Sequence, residues 1–249
     1  MVSTAEKNGI DWGGARSWIE SAMASSKQTE SPPTPTPDYY RAAFHAYPEG
    51  NLCWDAAFEQ ELAGKAVGIR NFPTKKGGNE GERLFRESLE TGLRDLRTQV
   101  PSGATLVDFG CGTSTSTRRL AELFPQAERV VGVDLSPQMI AVGRRLLAGA
   151  EGRGEGGWIE PVAPDARVEL QLADIAHTGL PDACADLVSV CLVLHELPPQ
   201  AARDAFAEAF RILRPGGVLW CAEMDGSSPG YTELRQNPAL FALIRATEP

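Results

Sequence analysis

The stretch Leu106 to Thr113, LVDFGCGT, constrains this chain more than any other, because an apolar strand runs directly into a glycine-rich turn with an acid at the bend. Asp108, Gly110 and Gly112 fall where a parallel strand hands over to a helix, and glycine there removes the Cβ atoms that keep a ligand off the backbone. The helix predicted over Ser116 to Phe124 turns its free N–H groups and the positive end of its dipole toward that turn. A nucleotide-type ligand fits this outline. A GxG pair alone also occurs in ordinary tight turns, so further elements must support it.

The second element is Val130 to Asp134, VVGVD, a short apolar run with a carboxylate at its carboxyl end, where it can accept from both hydroxyls of a ribose. After it, Ser136 is placed to cap a helix and Pro137 to open it. The third, Val168 to Asp174, alternates as a strand does and ends in an acid that can accept from an adenine amino group. The fourth, Asp186 to Leu197, is a continuous apolar run that carries His195 and Glu196 at its end. In the fifth, LRPGGVLWCAEMD, Arg214 to Gly217 turn the chain out of a helix and into a strand over Val218 to Met224.

In this order, VDFGCGT, GVDLSPQMI, LADI, DLVSVCLVLHEL and LRPGG resemble the S-adenosylmethionine-dependent methyltransferases of Rossmann-like fold (class I), over Leu84 to about Met224. The LVLHEL ending is similar to that of small-molecule and quinone methyltransferases. The resemblance implies a three-layer α/β/α sandwich with a mainly parallel sheet. It also implies that Asp108, Gly110, Cys111 and Gly112 hold the methionine part of S-adenosyl-L-methionine, Asp134 its ribose and Asp174 its adenine. Leu135 and Ile175 would lie against the purine, and Cys191 and Leu192 would run along the cofactor by backbone contact.

Methyl transfer to a hydroxyl needs a base, and His195, with Glu196 to orient it, is the best placed titratable group. A packing role for His195 stays open, as it does for His177; His45 is a weaker alternative. No carboxylate and histidine spacing in the linear sequence points to a metal, and none is expected. Enzymatic methylation of a small acceptor is the expected activity, and a cofactor-binding regulatory or assembly module without turnover is the alternative. A nicotinamide oxidoreductase is disfavoured because Thr115 stands where the dinucleotide fingerprint wants glycine or alanine.

The net charge of −9 and arginines interleaved with acids argue against a nucleic-acid partner. Five cysteines without a CxxC pair suggest neither a disulfide framework nor a zinc site and point to a reducing, cytoplasmic setting, with an organelle open if a targeting peptide precedes this chain. No apolar run approaches the ~20 residues of a membrane span.

Three parts are expected along the chain. Residues 1–37 read as a weakly ordered tail, with a brief amphipathic piece around Trp12, Trp18, Ile19 and Met23 and then the linker SSKQTESPPTPTP. Residues 38–100 read as a helical lid, with Tyr39, Tyr40, His45, Tyr47 and Trp54 as lining candidates and one amphipathic helix over Arg83 to Val100. Residues 101–249 form the core. After the fifth strand, TELRQNPALFALIRATEP reads as one helix rather than the antiparallel strand pair usual in such folds, so the expectation is a truncated methyltransferase that lacks its carboxyl-terminal strands, or a fifth-strand edge that is bare or covered by another subunit.

Overall fold

The computed structural model describes residues 1–23, 35–45, 47–73, 78–96, 99–149, 164–239 and 241–242. The linker expected after the first helical piece, and the end of the expected carboxyl-terminal helix, lie outside these residues except at their margins.

Five strands form one parallel sheet: β1 Thr105–Phe109, β2 Arg129–Asp134, β3 Val168–Leu172, β4 Ala185–Cys191 and β5 Leu213–Ala222, in the order β3-β2-β1-β4-β5. Because the order reverses beside β1, the carboxyl ends of β1, β2 and β4 open onto one crevice, where such sheets place their ligands. The period-two alternation of strands divides the core. Val107, Phe109, Val131, Val133, Val188 and Val190 face one way, against Ala205, Ala209 and Ile212 of α8 (Pro199–Ile212). Leu106, Val130 and Leu187 face the other way, against α6 (Thr115–Leu123) and Leu93. Helices on both faces make the three layers, and they explain why the strands read as continuous apolar runs.

The turn expected at Arg214–Gly217 is a bulge inside β5. Ala185 pairs with Leu213 and Leu187 with Val218, so four residues of β5 stand opposite Asp186. Asp186 binds the bulge through Arg214 and accepts from the Thr105 N–H at 2.8 Å, which ties β5 to β1 across β4. The helix after β2, α7 (Pro137–Leu147), starts as expected, with the Ser136 hydroxyl accepting from the Met139 N–H.

Residues 1–23 depart from the expectation of a weakly ordered tail. They form α1 (Val2–Lys7) and α2 (Trp12–Met23), and Ala5, Ile10, Trp12, Ala15 and Ile19 are buried with Phe58 and Leu62 of α3 (Trp54–Asn71) and Met139 and Val142 of α7. Trp18 lies under Arg145, 3.8 Å from guanidinium to ring centre. The apolar face of this short piece has a partner that sequence spacing did not reveal. The single helix expected over Arg83 to Val100 is two, α4 (Gly78–Leu89) and α5 (Thr91–Asp95), with a break at Glu90, whose carboxylate binds Arg119. Beyond β5 the described residues hold α9 (Pro229–Gln236), further helical residues after a break at Asn237, and no strand. Among the described residues no helix is long and apolar enough to cross a membrane.

Candidate active site

The glycine-rich turn leaves β1 through three left-handed residues, Gly110 (φ 68°), Gly112 (φ 51°) and Ser114 (φ 77°). A Cβ on Gly110 would lie 2.5 Å from Val193 Cγ2, so glycine is required both by the backbone and by the neighbour after β4. Asp108 does not face the crevice. It is fully buried, and its two oxygens accept from Ser116 and Thr117 at 2.7 Å and from Ser189 at 2.6 Å. Burial raises its carboxyl above the usual range and the three hydroxyls only partly counter this. Asp108 therefore fastens the turn and the first turn of α6 to β4.

Asp134, at the end of β2, accepts from the N–H groups of Gly112 and Ser136 at 2.8 Å each, and from the Tyr40 hydroxyl at 3.4 Å. Burial raises this carboxyl too, against the hydrogen bonds that favour its charge. Gln60 of α3 accepts from the Thr113 N–H at 2.5 Å and covers Gly112. Groups that a nucleotide-type ligand would meet are thus met by Tyr40 and Gln60, both from the segment expected as a lid. Thr113 Oγ1 and Ser114 Oγ are buried without a hydrogen-bond partner among the described residues. Two orphaned hydroxyls beside a turn that a Cβ would obstruct fit a polar ligand at this place.

Asp174 accepts from the Ala176 N–H at 2.8 Å, and Leu135 and Ile175 are buried beside the ends of β2 and β3. Cys111 is buried within the turn, and burial raises its thiol. Burial also pushes the Cys191 thiol up to about 12, which suits a packing residue better than a reactive one. Leu192 has a left-handed backbone (φ 56°) and its N–H donates to the Ala222 carbonyl at 2.9 Å.

His195 sits in a short 3-10 turn, Leu194–Glu196, at the end of β4. The carboxylate that orients it is Glu223, just past β5, which lies 2.8 Å from its Nδ1 and accepts from its backbone N–H at 3.2 Å. Glu196, the expected orienting residue, instead accepts from Asn51 Nδ2 at 2.9 Å. Glu223 could have been sought at the end of the fifth strand, but no sequence spacing links it to His195. Burial raises the Glu223 carboxyl, and the bonds with His195 and Met224 outweigh this and hold it below the usual range. His45 faces His195, and burial together with that neighbour lowers its imidazole to about 4. His177 is exposed in the loop after Asp174. Of the other lid aromatics, Trp54 stacks on Phe58 and Tyr47 binds Glu59, so these two pack within the helical layer.

A methyltransferase domain family matches residues 107–221, from β1 to β5. The chain is 35% identical over 162 residues to a trans-aconitate 2-methyltransferase of Azoarcus sp. (strain BH72), covering 64% of this chain and 55% of that protein. It is 34% identical over 122 residues to a carboxy-S-adenosyl-L-methionine synthase of Chromohalobacter salexigens, covering 49% of this chain and 40% of that protein. The chain thus spans about half the length of the curated relatives it matches. A crystal structure from Methanococcus maripaludis, described as an S-adenosyl-L-methionine-dependent methyltransferase, superposes with a TM-score of 0.51 over 79% of this chain and 77% of that one; at 16% identity it shows the fold alone. Residues 107–221, from β1 to β5, thus match a methyltransferase domain family, and the reversal of strand order beside β1 and the glycine turn with its two carboxylates sit on the Rossmann-like fold shared with the Methanococcus structure.

Proposed function

We propose that the chain transfers a methyl group from S-adenosyl-L-methionine, the cofactor of its family, to a small organic acceptor. The observation that carries this reading is the crevice itself. On one side lie the glycine turn with its two unpartnered hydroxyls and the Asp134 carboxylate; on the other lies the His195–Glu223 pair. S-adenosylmethionine, when bound, supplies a methyl group made electrophilic by its sulfonium.

The remaining chemistry belongs to the chain. Gly110 to Gly112 and the Thr113 and Ser114 hydroxyls receive the methionine end, with Asp108 holding the turn in shape. Asp134 takes the ribose hydroxyls in place of the Tyr40 hydroxyl. Asp174 takes the adenine amino group between Leu135 and Ile175, and the backbone at Cys191 and Leu192 lines the cofactor. His195 accepts the proton of an acceptor hydroxyl on Nε2 while Glu223 fixes the tautomer by taking the Nδ1 proton in a hydrogen bond. Orientation and exclusion of water by residues 35–73 supply the rest of the rate.

The name of the Azoarcus relative puts small organic acids first among the acceptors; at a hydroxyl of such an acid His195 acts as base, and at a carboxylate, already ionised, it has no proton to take. The test is isothermal titration with S-adenosylmethionine and S-adenosylhomocysteine, with NAD as control, followed by turnover with methyl-labelled cofactor over a panel of small carboxylates and phenols. Binding of the first two alone and label in an acceptor is the expected result. Binding with no labelled acceptor would favour the non-catalytic module, and binding of neither ligand by the folded chain would remove both readings.

A further inference from the structure

One cluster of metal-ligating side chains among the described residues lies outside the cofactor contacts. His45, His195 and Glu196 each offer a ligand atom, and the three atoms lie within 4.8 Å of one another. They come from distant places: His45 from the turn between the bridged residues Phe44 and Tyr47, the other two from the turn after β4. Any three points so spaced share a centre no more than about 2.8 Å from each, so closure on Zn²⁺ at about 2.0–2.2 Å asks each ligand to move about 0.8 Å or less.

Two contacts already set the ligands. Glu223 lies on His195 Nδ1 at 2.8 Å, so Nε2 is the nitrogen His195 offers an ion, and a carboxylate behind a ligating imidazole fixes the ring and raises its basicity. Asn51 holds one oxygen of Glu196 at 2.9 Å and so sets the direction of the other.

We propose that His45, His195 and Glu196 form a site for a divalent first-row transition ion, Zn²⁺ first, and that the ion clamps the segment 35–52 onto the end of β4. Two imidazoles and one carboxylate suit zinc, whereas Mg²⁺ and Ca²⁺ take oxygen ligands. The ion occupies the Nε2 that the proposed base uses, so it holds the acceptor side closed. That consequence rests on the methyl-transfer reading; the binding of the ion does not.

The experiment titrates the full chain, stripped with a chelator, with Co²⁺ as a spectroscopic probe and then with Zn²⁺ as competitor. One Co²⁺ per chain is expected, with a visible ligand-field band that Zn²⁺ bleaches. H45A and E196Q are each expected to weaken Co²⁺ at least tenfold with an unchanged far-ultraviolet spectrum, and Zn²⁺ to suppress methyl transfer while leaving S-adenosylmethionine affinity as it was. Absence of the band, or an unaltered titration in both folded variants, overturns the site. A band lost in both variants of a chain that does not bind S-adenosylmethionine would keep the site and discard the methyl-transfer reading.

Discussion

The cofactor half of the crevice and its acceptor half are built in different ways. In the cofactor half the glycine turn and the end of β2 are held by contacts short in sequence, with the Asp108–Ser189 bond across 81 residues as the exception. Asp134 reaches Ser136 two residues on and Gly112 22 residues back, and Asp108 reaches Ser116 and Thr117 eight and nine residues on. In the acceptor half, Asn51 meets Glu196 across 145 residues and His195 meets Glu223 across 28, and from the same outer segments Tyr40 and Gln60 reach into the cofactor half, at Asp134 and Thr113. Strand ends and their own loops fix the first half, whereas segments outside the sheet must dock to complete the second. Changes at His45 or Asn51 should therefore alter acceptor chemistry and leave cofactor binding in place, whereas changes at Tyr40 and Gln60 act on the cofactor half.

The sharpest way to break this comparison is G110V. Left-handed backbone costs a branched residue about 1–2 kcal/mol, and a Cβ 2.5 Å from Val193 adds an overpacking cost of about 1–3 kcal/mol. Cofactor affinity should fall beyond measurement, and the melting temperature should fall with it; G110A, which keeps the fold better, should still lose affinity. Retained binding in G110A and G110V alike would mean that the turn is not the cofactor site.

Next in size is H195A. Loss of a positioned base should lower the rate about 10²- to 10⁴-fold with cofactor affinity unchanged, and E223Q, which only misorients the ring, should cost about tenfold. A normal rate in H195A, with the true acceptor, returns His195 to a packing role. D134A moves the opposite quantity. Removing a buried carboxylate that accepts two backbone N–H bonds and is assigned to the ribose should weaken cofactor binding by about 1.5–3 kcal/mol, roughly ten- to 150-fold, as isothermal titration would read. If both variants changed both quantities equally, the two halves would not be separable.

What could be read in advance follows the same division. The five strands, the glycine turn, the Ser136 cap, the acids within β1 and at the end of β2 and the acid after β3 were legible because period-two patterning and turn chemistry are local. Asp108 was legible as a residue but not in its role, since which way a buried carboxylate faces depends on hydroxyls of α6 and β4. Glu223 and Asn51 carried no signal, because only the docking of β5 and of the chain before α3 brings them to His195 and Glu196. The helices at residues 1–23 were missed for a related reason: Ile10, Trp12 and Ile19 look like an exposed short amphipathic piece until α3 and α7 supply the face they bury.

The smallest effect tests the outer edge of the cofactor half, the loop that follows Asp174. Thr178 in that loop donates its N–H at 2.8 Å and its hydroxyl at 2.5 Å to Glu208 of α8, and Arg211 holds the same carboxylate at 2.7 Å. Burial alone would raise Glu208, but these bonds outweigh it and bring the carboxyl to about 2. A folded pKa below the unfolded value contributes stability that is complete above about pH 4.5 and is lost as the pH falls toward about 2. Melting temperature should therefore drop on acidification through that window, by the equivalent of about 1–2 kcal/mol, with Asp174 released from its place as the loop detaches. E208Q should be less stable at neutral pH and should lose this part of the acid slope. Superposable acid profiles for the two proteins would show that the loop is held by its buried apolar residues, Ile175 and Leu180, and that the charge on Glu208 is incidental to the adenine side of the site.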